Sequence, residues 1–204
     1  MESETIDQKP SYHHGDLRVQ LLEAVRRLVE EKGAEGFSIA EAARAAGVSS
    51  AAPYRHFQDK PEILKALVMD EMDAMSQSME AVISPHPLGS IERLNALGKH
   101  YIDYAKEHPG MFRLIFGITE HHEGDEDLRL RGEGVFGIVI KAVADFLNID
   151  VSDPKAKERA YLLWTFVHGH SWLVIDGKAR RQGIVYPDEH LLEAVSNGIL
   201  ISNK

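Results

Sequence analysis

The chain has 204 residues, 44% hydrophobic and 27% charged, with a net charge of −9. That length suits one large domain or a small one joined to a larger, and the composition is that of a folded protein rather than a disordered one. With no cysteine, disulfides, thiolate catalysis and cysteine-ligated zinc are excluded together. No run approaches the ~20 consecutive apolar residues of a membrane helix. The polar N-terminus shows no signal peptide, so a cytoplasmic location is expected. The acidic balance speaks against nucleic-acid binding, but its distribution does not. Ser38–Lys60 carries three basic residues against two acidic ones, with His56 in addition. Such a patch can neutralise phosphates from an acidic body, with binding that salt weakens easily.

Residues 1–11 lack an apolar period and read as a flexible arm. In "YHHGDLRVQLLEAVRRLVEEKG" (12–33), Leu17, Leu21, Ala24, Val25 and Leu28 recur at helical spacing and Gly33 closes the helix. Ser38 and Glu41 have the spacing of a capping box at the head of the alanine-rich run Ala40–Ala46. Gly47 sits where a chain leaves a helix through a left-handed residue, and Ser49 offers a second cap almost at once. Helix, short turn and helix over 38–57 are the outline of a helix-turn-helix. Ile39, Ala42, Ala43, Val48 and Phe57 are its expected apolar seam.

Pro61 suits the opening turn of a long third helix, with Ile63, Leu64, Leu67, Val68 and Met72 on one side. "ISPHPLGS" (83–90) ends it. Ile91, Leu94, Leu97, Tyr101 and Tyr104 mark a helix to about Glu107, "HPG" breaks it, and Met111–Ile118 is a short apolar helix. "TEHHEGDEDL" (119–128) reads as an acidic loop. Val135–Phe146 marks another helix, ended near Asn148. Pro154 opens the longest apolar helix, to about Asp176, and Leu191–Leu200 closes the chain. No alternating strand pattern of useful length occurs. The expected fold is all-α, with about nine helices and no internal repeat. Three parts are expected: the arm 1–11, a head 12–75, and a body 76–204.

The residues "YHHGDLR" (12–18) and "FSIAEAARAAGVSSAAPYRHFQDKPEIL" (37–64), with the spacing between them, resemble a TetR/AcrR-type transcriptional regulator. "EHPGMFRLIFG" (107–117) and Trp164, His168 and Gly169 resemble a Trp-His-Gly subgroup of that family. The resemblance implies a homodimer whose heads bind palindromic double-stranded operator DNA and whose helical body binds a small effector, repression being the family default. Residue by residue it places DNA contacts at Ser38, Ser50, Ala51, Ala52, Tyr54, Arg55, His56 and Lys60. Pro53 departs from the bulky apolar residue commoner at its place, which predicts a second helix with a tighter start.

Eleven histidines invite a metal reading. His168 and His170 stand about 200° apart around a helix, so one ion cannot easily take both. His121 and His122, beside Glu123, Asp125, Glu126 and Asp127, read better as a solvated acidic loop than as a fixed site. Neither metal nor cofactor is expected. Gly-rich phosphate loops and the HExxH and GxSxG signatures are all missing. A hydrolase built on His100, His108 and His168 has no nucleophile, so an enzyme is not expected.

The body is expected to hold an apolar pocket within residues 91–176, walled by Tyr101, Phe112, Phe116, Phe136 and Trp164, with His168 as pocket anchor or packed core residue. An apolar, uncharged or anionic ligand suits it better than a dication, since no converging carboxylates are visible. The last two long helices, 154–180 and 188–202, are expected to form the dimer seam through their apolar excess, including Leu162, Leu163, Phe166, Val167, Trp172, Leu173, Leu191 and Leu192. A constitutive architectural DNA-binding protein is the alternative. A wide apolar cavity in the body favours the regulator, and a solid core the alternative.

Overall fold

The computed structural model describes residues 14–117 and 125–201. Among them are nine α-helices, one 3₁₀ turn and no strand. The chain forms two compact units that divide between Leu67 and Val68.

In the first unit α1 (His14–Lys32) buries Leu21, Val25 and Val29 completely or nearly so, three positions on one helical face. Gly33, at φ +76°, takes the chain out of the helix. Helix α2 (Ile39–Ala45) opens on Ser38, whose Oγ accepts from the Glu41 backbone N–H at 3.2 Å. That bond satisfies one of the donors a helix start leaves without a partner. Gly47 turns the chain at φ +72°, a conformation that costs glycine little.

The segment after this turn differs from the expected second helix. It is a 3₁₀ turn, η1, over Pro53–Arg55. The Ser49 carbonyl accepts from the Ala52 N–H (3.0 Å), that of Ala52 from Arg55 (3.2 Å) and that of Pro53 from His56 (3.0 Å). Pro53 carries no N–H to bond back to Ser49, so the turn starts on i→i+3 rings, and the one α-type ring forms at its end, where the Pro53 carbonyl also accepts from the Phe57 N–H (3.0 Å).

Helix α3 (Lys60–Ile83) runs from the first unit into the second. Asp59 caps its start by accepting from the Glu62 N–H at 2.9 Å, and Glu62 accepts from Gln58 N–H at 2.6 Å. The Arg93 guanidinium closes the far end, donating to the Ile83 and His86 carbonyls at 3.1 Å each.

The second unit continues with α4 (Ile91–Glu107), α5 (Pro109–Gly117), α6 (Glu126–Leu147), α7 (Pro154–Ile175), α8 (Lys178–Arg181) and α9 (Asp188–Leu200). Helix α4 packs against α7 and α9, and α6 packs against α7. Leu94, Leu97, Val143, Ala160 and Leu200 share one buried cluster with Met79, while Ile102, Val167 and Leu192 form a second. Val167 and Leu192, expected in a dimer seam, are thus core residues of the single chain.

Two further boundaries depart from expectation. Helix α6 begins at Glu126, inside the stretch read as loop. Asp125 caps it through the Leu128 N–H (3.2 Å), and Glu126 and Asp127 complement the positive end of the helix dipole. Helix α8 is an additional short element. His121 and His122 lie outside the described residues. No described helix is long and apolar enough to cross a membrane.

Candidate functional site

In the head, the turn around η1 presents Ser50, Ala51, Tyr54 and Arg55 outward. Tyr54 is 59% exposed, unusual for an aromatic residue in a small helical unit. Ser38 is exposed as well. The other three expected contacts behave differently. Ala52 is buried beside fully buried Pro53, so its methyl group belongs to the core. His56 is half-buried, its ring beside Phe57, and its buried Nε2 has no hydrogen-bond partner among the described residues. The Lys60 ammonium donates to the Phe37 carbonyl at 2.9 Å and lies 4.5 Å from the Phe37 ring centroid, with Glu35 at 3.8 Å. Lys60 ties the start of α3 to the loop before α2, a structural use that sequence spacing did not reveal.

In the body a cavity of about 340 Å³ opens among α3, α4, α5, α6 and α7. Of the six residues expected there, Tyr101, Phe112, Phe116, Phe136 and Trp164 line it. Tyr101 and Phe112 meet edge to face, with centroids 5.7 Å apart at 83°, the arrangement aromatic quadrupoles favour, while the Tyr101–Phe116, Phe112–Phe116 and Phe136–Trp164 pairs are tilted. Met72, Met75 and Met79 add flexible apolar wall from α3. Their spacing of three and four residues was a signal in the sequence. Tyr104, three residues after Tyr101 on the same helical face, also lines the cavity, as does Glu71, which had no such signal.

His168, the sixth residue, stands behind the wall. Its Nε2 accepts from the Trp172 indole N–H at 3.0 Å, and its Nδ1 lies 2.9 Å from the Tyr101 hydroxyl. Burial pushes its pKa below the ordinary histidine value. Tyr101 also accepts from the Trp164 indole N–H at 3.4 Å, and burial holds its phenol protonated, with the pKa well above the ordinary range.

Two carboxylates line this cavity, a correction to the sequence reading. Glu71, only 4% exposed, accepts from the Tyr104 hydroxyl at 2.9 Å. Glu133 pairs with Arg129. Among the described residues no group of three or more His, Cys, Asp or Glu side chains could hold a metal ion. His170 stacks on Phe166 and bonds Asp188 at 3.2 Å, facing away from the His168 network.

A helix-turn-helix head on an all-helical body defines the class of DNA-binding transcription regulators. Residues 21–67 match the model of the bacterial regulatory proteins of the tetR family, and residues 94–195 that of the tetracyclin repressor-like C-terminal domain. The chain belongs to the TetR family.

Among curated proteins it is similar to the nucleoid occlusion factor SlmA of a Marinomonas species, 28% identical over 121 residues, 59% of this chain and 60% of the relative. It is also similar to SlmA of Idiomarina loihiensis, 25% identical over 131 residues, 64% of this chain and 66% of the relative. The chain spans less than two thirds of the length of these curated relatives. Among solved structures, a Rhodococcus protein with unknown function superposes with a TM-score of 0.78 at 24% identity, covering 95% of this chain and 98% of that one. The transcriptional regulator FadR from Bacillus subtilis, in complex with stearoyl-CoA, superposes with a TM-score of 0.70 at 15% identity, covering 90% and 97%. These structural likenesses show the fold.

Proposed function

We propose that this chain is a ligand-responsive repressor which binds a palindromic operator as a homodimer and leaves it when a small molecule occupies the body. The cavity carries this reading. A module that only held DNA would have no use for about 340 Å³ of aromatic and methionine-walled space, a volume at the lower end of the ~300–1,000 Å³ typical of ligand sites. FadR in complex with stearoyl-CoA adds that a body of this fold admits a small-molecule ligand. The protein acts without catalysis, in the cytoplasm.

In this reading Tyr54 and Arg55 touch phosphates, while Ser50, Ala51 and Ser38 meet base edges or the backbone beside them. Ala51 offers only a methyl contact, suited to thymine. Ala52 and Lys60 act indirectly, by holding the turn in place.

Dimerisation uses the outward faces of α7 and α9. Leu162 and Leu173 are 38% and 45% exposed. Between them Gly169, and on α9 Gly198, have nothing within 4 Å of where a Cβ would stand, so two helices can approach closely there. A stable seam of this kind buries roughly 2,000 Å² or more in total.

Switching follows from differential affinity. Helix α3 is shared by both units, so a ligand that favours one setting of it alters the separation of the two heads. A twofold reader needs its half-sites about one DNA turn apart, roughly 34–36 Å. A ligand with no preference between the two settings would shift nothing.

The test is selection of DNA by the purified protein from a random pool. The expected product is one palindromic motif, bound by a species of twice the 22.8 kDa chain mass in sedimentation. Recovery of unrelated sequences bound by the single chain would end the proposal.

A further inference from the structure

The hydrogen-bond inventory at Tyr101 leaves one proton without an acceptor. An indole N–H can only donate, so the Trp172 N–H obliges His168 Nε2 to be an acceptor. A neutral imidazole has one accepting nitrogen and one N–H, and a doubly protonated ring could not accept at all. His168 therefore carries its proton on Nδ1 and donates it to the Tyr101 oxygen, 2.9 Å away. Trp164 also donates to that oxygen. With two bonds accepted, the phenol oxygen has no lone pair left, and its own O–H must find an acceptor elsewhere. Among the described residues none supplies it.

Resting on the effector-site reading above, we infer that the Tyr101 hydroxyl is the polar anchor of the cavity and that the ligand is an uncharged, mainly apolar molecule presenting a carbonyl-type oxygen to it. The rest of the wall supports an uncharged ligand. Glu71 and Glu133 line the same space, which opposes a carboxylate headgroup. Glu71 already accepts from Tyr104, and Glu133 is paired with Arg129, so neither is set aside for a cation. His168 and Trp164 act as positioning residues that aim the phenol by occupying its lone pairs, and Trp172 positions His168 by fixing the tautomer that donates from Nδ1.

Four nine-carbon probes test this: 2-nonanone, nonane, nonanoate and nonylammonium, each titrated by quenching of tryptophan fluorescence. Trp164 lines the cavity. The expected result is saturable quenching by the ketone at lower concentration than by either charged probe. Tyr101→Phe should weaken the ketone about tenfold, worth ~1.4 kcal/mol, and leave nonane within twofold. Equal ketone affinity in wild type and Tyr101→Phe would overturn the anchor and leave the cavity standing as a ligand site, the proton then passing to a water. No saturable quenching by any probe would overturn the site reading itself. If Tyr101→Phe does not fold, the wild type decides. Infrared spectra of bound 2-nonanone should show the C=O stretch below its value in hexane, and an unshifted stretch rejects the bond.

Discussion

The Tyr104 hydroxyl donates to Glu71 Oε2 across 2.9 Å, joining α4 to α3 beside the cavity. Glu71 is the one buried charged side chain among the described residues. Removing a donor from a buried carboxylate costs about 1–3 kcal/mol, because the desolvation penalty remains. Tyr104→Phe should therefore lower the unfolding free energy by about that amount in urea titrations, with the slope against denaturant unchanged. A midpoint within error of wild type would show that this bond holds nothing.

Lys60→Ala separates structure from DNA contact. Loss of the bond to the Phe37 carbonyl should destabilise the protein by about 1 kcal/mol and leave the salt dependence of DNA binding unaltered. Arg55→Ala should do the reverse, reducing the slope of log K against log salt by roughly one at unchanged stability. A reduced salt slope in Lys60→Ala would return Lys60 to the phosphate contacts.

Most of the fold was legible from the residues, because apolar side chains at helical spacing and their punctuation agree. Ser38, Gly33, Pro61 and Asn148 mark real helix ends. Five of the six residues expected at a pocket line the cavity, all of them aromatics on the helices of the body. What escaped depends on competition between neighbours. Pro53 permits either a strained α-helical start or 3₁₀ bonding, and packing of Ala52 and Pro53 into the core decides. The run Glu126-Asp127 reads as solvated loop until Asp125 is seen capping it. Glu71 and Lys60 look like surface charges, since each is buried or held by a partner distant in sequence.

His168 and His100 give the protein a defined acid sensitivity. Burial lowers both pKa values in the folded state, against some opposing attraction from Asp103 and Glu107 at His100. Below the ordinary histidine value near 6.5, the unfolded chain binds protons that the folded chain resists. Stability should then be full above about pH 7 and fall as pH drops below about 6.5. His168→Gln together with His100→Gln should flatten the profile of unfolding midpoint against pH over that window. An unchanged slope would assign the acid loss to other groups.

Gly89 ties the α3–α4 connection to the end of α6. It has φ +69°, and a Cβ there would stand 2.8 Å from the Asp145 carbonyl oxygen. Backbone conformation and contact both oppose a side chain, so Gly89→Ala should cost about 1–3 kcal/mol. Gly169→Ala meets nothing within 4 Å and should not reduce the stability of the single chain. If the α7–α9 seam is real, the larger Gly169→Trp should shift the sedimenting species towards the single chain.

Reciprocity between the two sites tests the account most directly. A ligand found by tryptophan quenching is titrated into the free protein and into protein saturated with its selected operator. A ligand that releases DNA must bind the operator-bound form more weakly, by the same factor with which it weakens DNA binding. A hundredfold difference, ~2.7 kcal/mol per site, lies within the usual range of such couplings. Matching factors in the two directions are the predicted result. Identical ligand affinities for free and operator-bound protein would contradict it, leaving a DNA binder whose cavity has no say in its release.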